Sequence, residues 1–165
     1  MKNRASASTH KKVVILLLNR VSVKGYLDPA GLGRKETADI LTSAGEHLSI
    51  KLEDIKSIYF VREFTEPFEL ERKTFLSRPK LDGLWVRLRF RDEDVMEGIV
   101  PNDLVDLLDS GVRLTPPDLH GNTLRMFVPR SALLEMNVVG VVGGARRAAR
   151  DARAALAAQT RLFGE

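Results

Sequence analysis

The chain of 165 residues contains no cysteine, which excludes disulfides and thiolate metal sites together. Aromatic residues make up only 6% of it, with a single tryptophan, Trp85, so a core has to be built mainly from Val, Ile and Leu. No apolar run approaches the roughly 20 residues needed to cross a bilayer. The run Val13–Leu18 does follow Lys11 and Lys12, as the apolar part of a signal peptide would. It is too short for one, and Asn19-Arg20 follow without a small-residue cleavage pattern. A cytoplasmic location is therefore expected, in keeping with the missing cysteines.

The body of the chain also lacks an excess of positive charge, although the isoelectric point is near 9.6. Residues 1–12 carry Lys2, Arg4, Lys11 and Lys12, and residues 140–165 carry five arginines against Asp151 and Glu165. With a total of +4, residues 13–139 hold a net −3. The basicity belongs to the ends.

Catalytic patterns are missing too. There is no G-x-S-x-G elbow. Gly31-Leu32-Gly33-Arg34-Lys35 lacks phosphate-loop spacing and no helix pattern follows it, so it reads as a flexible hairpin loop. His10 falls in the basic arm, and His47 and His120 fall in turns without a Glu or Asp at ligand spacing beside both. Glu53-Asp54 and Asp92-Glu93-Asp94 sit in predicted turns, where charges are routine. No enzyme, no cofactor and no metal site is expected.

What the chain does have is a repeated strand pattern. Val13, Ile15 and Leu17 alternate with Val14, Leu16 and Leu18, which predicts a strand buried on both faces. Val86, Leu88 and Phe90 alternate with Arg87, Arg89 and Arg91, which predicts one face in and one face out. A displacement of 73 positions carries the first set onto the second, Gly25 onto Gly98, and Leu41-Thr42 onto Leu114-Thr115. After a three-residue adjustment in a turn, Leu48, Ile50 and Leu52 fall on Leu124, Met126 and Val128, and Ile58 on Leu134. The expected fold is mainly β: tandem duplicated small five-stranded β-barrels, Sm-like or SH3-like in strand pattern, with a C-terminal α-helix. Gly25 and Gly98 suit the sharp bend of a long barrel strand, with simple turn glycines as the alternative.

The expected divisions are a disordered basic arm over 1–12, a first barrel repeat over 13–63 and an inter-repeat segment over 64–83. A second repeat over 84–140 and a basic Ala/Arg-rich helix over 143–163 complete the chain. The inter-repeat segment, with Phe64, Phe68 and Phe75, is too apolar for a free linker and is expected to lie across a barrel surface. Within Pro101–Ser110 a short helix is predicted, with Asn102 as its N-cap.

The stretches Val21-Ser22-Val23-Lys24-Gly25-Tyr26, Phe60-Val61-Arg62-Glu63-Phe64 and Glu71-Arg72-Lys73-Thr74-Phe75 resemble an uncharacterised bacterial domain family. Its members carry a KGY hairpin and an FVRxF…ExKxF signature, and occur alone or near PilZ-type signalling domains. The resemblance implies a regulatory or signalling setting but no activity. The pair that marks cyclic-di-GMP-binding PilZ domains, an R-x-x-x-R arm followed by a D/N-x-S-x-x-G strand, is not found.

The leading functional expectation is a non-enzymatic binding or adaptor module of a bacterial regulatory system. It would take a protein partner through an exposed edge strand or through Phe64, Phe68 and Phe75, and homo-oligomerisation is compatible with it. The alternative is nucleic-acid binding through the basic ends, with Arg146, Arg147, Arg150 and Arg153 on the helix and Arg87, Arg89 and Arg91 extending the patch. For those last three, a solvated strand face is the plainer reading. A third expectation, a cyclic-di-nucleotide receptor, rests on the resemblance alone. The first repeat reads as the packed half and the second as the half that meets a partner.

Overall fold

The computed structural model describes residues 9–163, apart from the side chains of 145–149 and 163. Ten strands form, all paired antiparallel: β1 (Lys11–Leu17), β2 (Ser22–Leu27), β3 (Thr37–Thr42), β4 (His47–Lys51), β5 (Ile55–Val61), β6 (Gly83–Phe90), β7 (Val95–Val100), β8 (Gly111–Leu114), β9 (Thr123–Pro129) and β10 (Leu133–Val142). A four-residue helix, α1 (Leu104–Leu107), interrupts the second half, and α2 (Gly144–Phe163) ends the described chain. Single 3-10 turns at Leu52–Asp54 and Arg130–Ala132 lead into β5 and β10.

The pairing pattern recurs. β1 pairs with β2 and β5, and β6 pairs with β7 and β10. β3 pairs with β4 as β8 pairs with β9. β2 pairs with β3, and β7 touches β8 through a single bridge between Ile99 and Thr115.

The strands do not close into the two expected five-stranded barrels. The strands make a seven-stranded sheet in the order β4-β3-β2-β1-β5-β9-β8 and a three-stranded sheet β10-β6-β7. Closure of the first unit would need β5 to meet β4. Its open edge is taken instead by β9, a strand of the second half.

Two cores follow from this. Val13, Ile15, Ile40, Ile55 and Ile58 face the first, and Phe127 of β9 reaches into it. Val86, Leu88 and Phe90 face the second, with Met126 and Val128 from the other face of β9. Val14, Tyr59 and Val61 present the back of β1 and β5 to that second core. Burying both faces of β1 requires apolar residues at every position, and Val13, Val14 and Ile15 are all fully buried.

The ladders also correct the alignment of the halves. They match Ala38 to Val112 and Ile40 to Leu114, one residue away from the sequence-based match of Leu41 to Leu114. They match Leu48 to Met126, Ile50 to Val128 and Ile58 to Met136, each two residues further on than periodicity placed them. A two-residue slip keeps every side chain on its face, so alternation alone does not expose it. Gly25 lies against the Leu41 carbonyl and the Ile40 side chain, and Gly98 against Leu114 and the Thr115 carbonyl. Both glycines serve a close approach of the neighbouring strand.

Three smaller corrections belong here. Lys11 and Lys12 are part of β1, not of an arm, and residues 1–8 of the expected arm lie outside the described residues. The N-cap of α1 is Asp103, whose carboxylate accepts from the Val105 amide at 2.9 Å, and not Asn102. The Gly31–Lys35 loop is tied down: Arg113 donates to the Leu32 carbonyl at 2.7 Å and Ser110 to the Gly33 carbonyl at 2.9 Å.

Candidate interaction surface

β10 is the longest strand and has one paired edge. β6 occupies it, and among the described residues no strand pairs with the other. Its sequence, Leu-Leu-Glu-Met-Asn-Val-Val-Gly-Val-Val, leaves Leu134, Val138, Val139 and Val141 exposed, Val138 at 57%. Near its end Arg78 donates to the Val141 carbonyl at 2.7 Å. A long apolar edge whose remaining backbone groups have no strand partner is a template for another strand, and folded proteins usually blunt or cover such edges.

The free edge of β4 is built differently. β4 has five residues, in which the polar His47, Ser49 and Lys51 alternate with Leu48, itself 40% exposed, and the half-buried Ile50. The Ser49 hydroxyl donates to Asp39 at 2.6 Å, and this bond pulls the Asp39 carboxyl below its usual range. A short, polar, charged strand is a blunted edge.

Beside the start of β10 runs a shallow groove of about 170 Å³, lined by Val112, Arg130, Leu133, Leu134, Glu135 and Met136. A second hollow of similar volume lies at the Asp28–Thr37 loop, bordered by Lys35 and Asp39. Its charged rim is already engaged, since Lys35 and Asp39 pair at 3.4 Å.

The sequence-predicted contacts are largely committed within the protein. Phe64 stands edge-on to Tyr26, Phe68 lies 4.7 Å from Tyr59 between ring centroids, and Phe75 stands edge-on to Trp85. All three are half-buried, so the inter-repeat segment does lie across the sheets. It is anchored by the buried Glu97 carboxylate, which accepts from Trp85 Nε1 at 2.9 Å, Arg87 at 3.2 Å and the Phe75 amide at 3.3 Å. The Glu97 amide in turn donates to the Lys73 carbonyl at 2.7 Å.

Arg87 and Arg89 do share the outer face of β6, Arg91 follows in the turn after it, and all three are exposed. Each has a partner there: Arg87 with Glu97, Arg89 with Glu93 and Glu135, and Arg91 with the Ser131 carbonyl. Acids on the same face offset that positive field. On α2, Arg150 and Arg153 are exposed, as is every described side chain of that helix. The side chains of Arg146 and Arg147 lie outside the described residues.

One charged cluster joins the halves. Lys56 meets Asp92 at 2.6 Å and Asp94 at 3.0 Å, and Lys73 meets Asp94 at 2.8 Å. Burial works against the Lys56 ammonium, but the two carboxylates outweigh it and hold its pKa above the ordinary 10.5. The Lys56 hydrogen bond draws Asp92 below 3.8; for Asp94, burial opposes the shift and the Lys73 and Lys56 bonds overcome it. Among the described residues no three His, Asp or Glu gather as metal ligands, and no helix is long and apolar enough to cross a membrane.

What sequence reasoning missed is the role of β9. The consecutive Met126-Phe127-Val128, against the alternating Leu48-Ser49-Ile50 at the matching place, is the signal for burial on both faces. Comparison with known proteins finds no match among curated proteins and none among solved structures. Residues 9–140 match the Family of unknown function (DUF6982), and the chain belongs to that family.

Proposed function

We propose that the chain is a non-enzymatic binding or adaptor module of a bacterial regulatory system, built by internal duplication of one small-barrel unit, whose second half takes a partner strand along β10. The observation that carries this reading is the inequality of two matching edges. β5 has β9 on its outer edge, while β10, which stands in the same place in the second unit, has an exposed apolar one. Strand addition uses main-chain hydrogen bonds for affinity and alternate side chains for specificity. The recurring order of strands and 3-10 turns supports the duplication, and the cytoplasmic setting agrees with a chain free of cysteine.

The test is Val138→Lys, which places a charge on the exposed edge. A protein that co-purifies with the wild-type chain from its host should be lost from the variant, with the unfolding temperature unchanged. Equal recovery from both chains overturns the edge reading.

A second reading is favoured by α2, whose exposed Arg150, Arg153 and Arg161 have no protein ion pair among the described residues. Such a helix suits a phosphate backbone, with affinity that falls as salt rises. A gel shift at low salt that disappears on deletion of residues 143–165 supports it, and no retardation of the full chain sinks it.

A further inference from the structure

The first half shows what a filled β5-type edge looks like. Ala38, Leu52, Ile55 and Ile58 share one core with Phe127, which pairs across from Ile58. By strand pairing, Val112, Leu133 and Met136 stand in the second half where Ala38, Ile55 and Ile58 stand in the first. The matching 3-10 turns put Arg130 at the place of Leu52. Leu134 and Glu135 follow at the places of Lys56 and Ser57. These six residues are the lining of the groove beside β10.

We infer that this groove is the second copy of the Phe127 socket, and that it takes a large apolar side chain, best an aromatic one, from an extended segment of a partner protein. The segment adds to β10 as an antiparallel strand, as β9 adds to β5. This rests on the edge-binding reading above and goes further by naming the side chain that is recognised. A second copy of the chain is a poor occupant through its free β4. That strand carries Ser49 at the place of Phe127, already bonded to Asp39, and would bring a hydroxyl to an apolar socket. Its entry would either break that bond or draw the Asp39 carboxylate toward an apolar site, and both are unfavourable. The rim has Arg130, Leu134 and Glu135 where the template has Leu52, Lys56 and Ser57, which leaves one charge of each sign, so the apolar residue and not net charge governs the choice.

The probe is a free peptide with the sequence of β9, Thr-Leu-Arg-Met-Phe-Val-Pro, titrated into the full isotope-labelled chain and followed by amide chemical shifts. Shifts should concentrate at Val112 and Leu133–Met136. A peptide with Ala in place of Phe should bind about tenfold more weakly or worse, the scale of losing a buried aromatic side chain. Leu134→Glu, at an exposed groove position, should weaken the Phe peptide comparably while the spectrum stays folded. Equal binding of the two peptides along β10 overturns the socket but leaves the edge reading standing. Absence of any shift along β10 with either peptide at millimolar concentration overturns the socket. Sedimentation showing a dimer, with β10 amides protected from hydrogen exchange, gives the edge to a second copy and overturns the peptide proposal.

Discussion

Position for position, the two halves trade places between water and core. Val14 and Leu16 on the back of β1 correspond to Arg87 and Arg89 on the back of β6. The first pair packs on the second half's core, whereas the arginines face solvent. Ser49 corresponds to Phe127, and its cross-strand neighbour Asp39 corresponds to Arg113. One pair is a hydrogen bond at a surface; in the other the Arg113 guanidinium lies 5.9 Å from the Phe127 ring centroid. The same backbone plan therefore gives one half two buried faces and the other a free apolar edge. Because β4 is polar where β9 is aromatic, the internal contact is not repeated between copies, which restrains open-ended strand addition.

The largest effect should come from breaking that contrast at its centre. Phe127→Ala should cost about 3–5 kcal/mol in urea unfolding, the usual penalty for a buried aromatic ring. Ser49→Ala, at the matching exposed place, should cost about 1 kcal/mol or less. Equal losses would mean that the ring is not shared by the first core.

Next come the paired glycines. An added Cβ at Gly25 meets a backbone carbonyl, which cannot move aside, whereas at Gly98 it first meets the flexible end of Leu114. Gly25→Ala should therefore lose roughly 1–3 kcal/mol by overpacking and Gly98→Ala clearly less. Thermal unfolding of the two variants side by side checks the order.

The charged cluster gives a smaller, pH-dependent effect. Asp92 and Asp94 have folded-state pKa values below their ordinary 3.8. Their contribution is present above that value and is lost as pH falls through the depressed folded values. Lys56, raised above 10.5, contributes fully below that value and loses its contribution as pH rises through its folded value. Lys56→Met should flatten the acid limb of the unfolding-temperature curve, with a cost near neutral pH of about 1 kcal/mol because the carboxylates remain partly in water. Smallest of all should be Arg89→Ala, within about 0.5 kcal/mol, since its ion pairs are exposed. A larger loss there would make the outer face of β6 structural.

Much of this contrast is legible in the sequence, and the missing part has a physical cause. The two-faced burial of Val13–Leu17 against the one-faced pattern of Val86–Phe90 follows from side-chain period alone. The succession of ten strands and the terminal helix were legible as well, whereas Gly25 and Gly98, expected as bend or turn glycines, serve a close approach of the neighbouring strand. Barrel closure is another matter, because β4 and β9 both satisfy the pattern of a fourth strand. They differ at the outward position, Ser49 against Phe127, and local periodicity carries no term for long-range competition. The groove was hidden for the same reason: it is defined by what does not cover Leu133 and Met136. The Phe64–Phe75 segment was legible as a surface strap, but its rings proved committed to Tyr26, Tyr59 and Trp85.

The reach of Phe127 into the first core also sets a schedule. A chain made from its N-terminus completes β5 well before β9 exists, so Ile55 and Ile58 must wait for their cover. At synthesis rates of about 5–20 residues per second, the delay is roughly 3–13 seconds. Such non-local pairing is intrinsically slow to form. In that interval the nascent first half has the same kind of open edge that the finished protein keeps at β10, and it needs protection from other chains until its own ninth strand arrives.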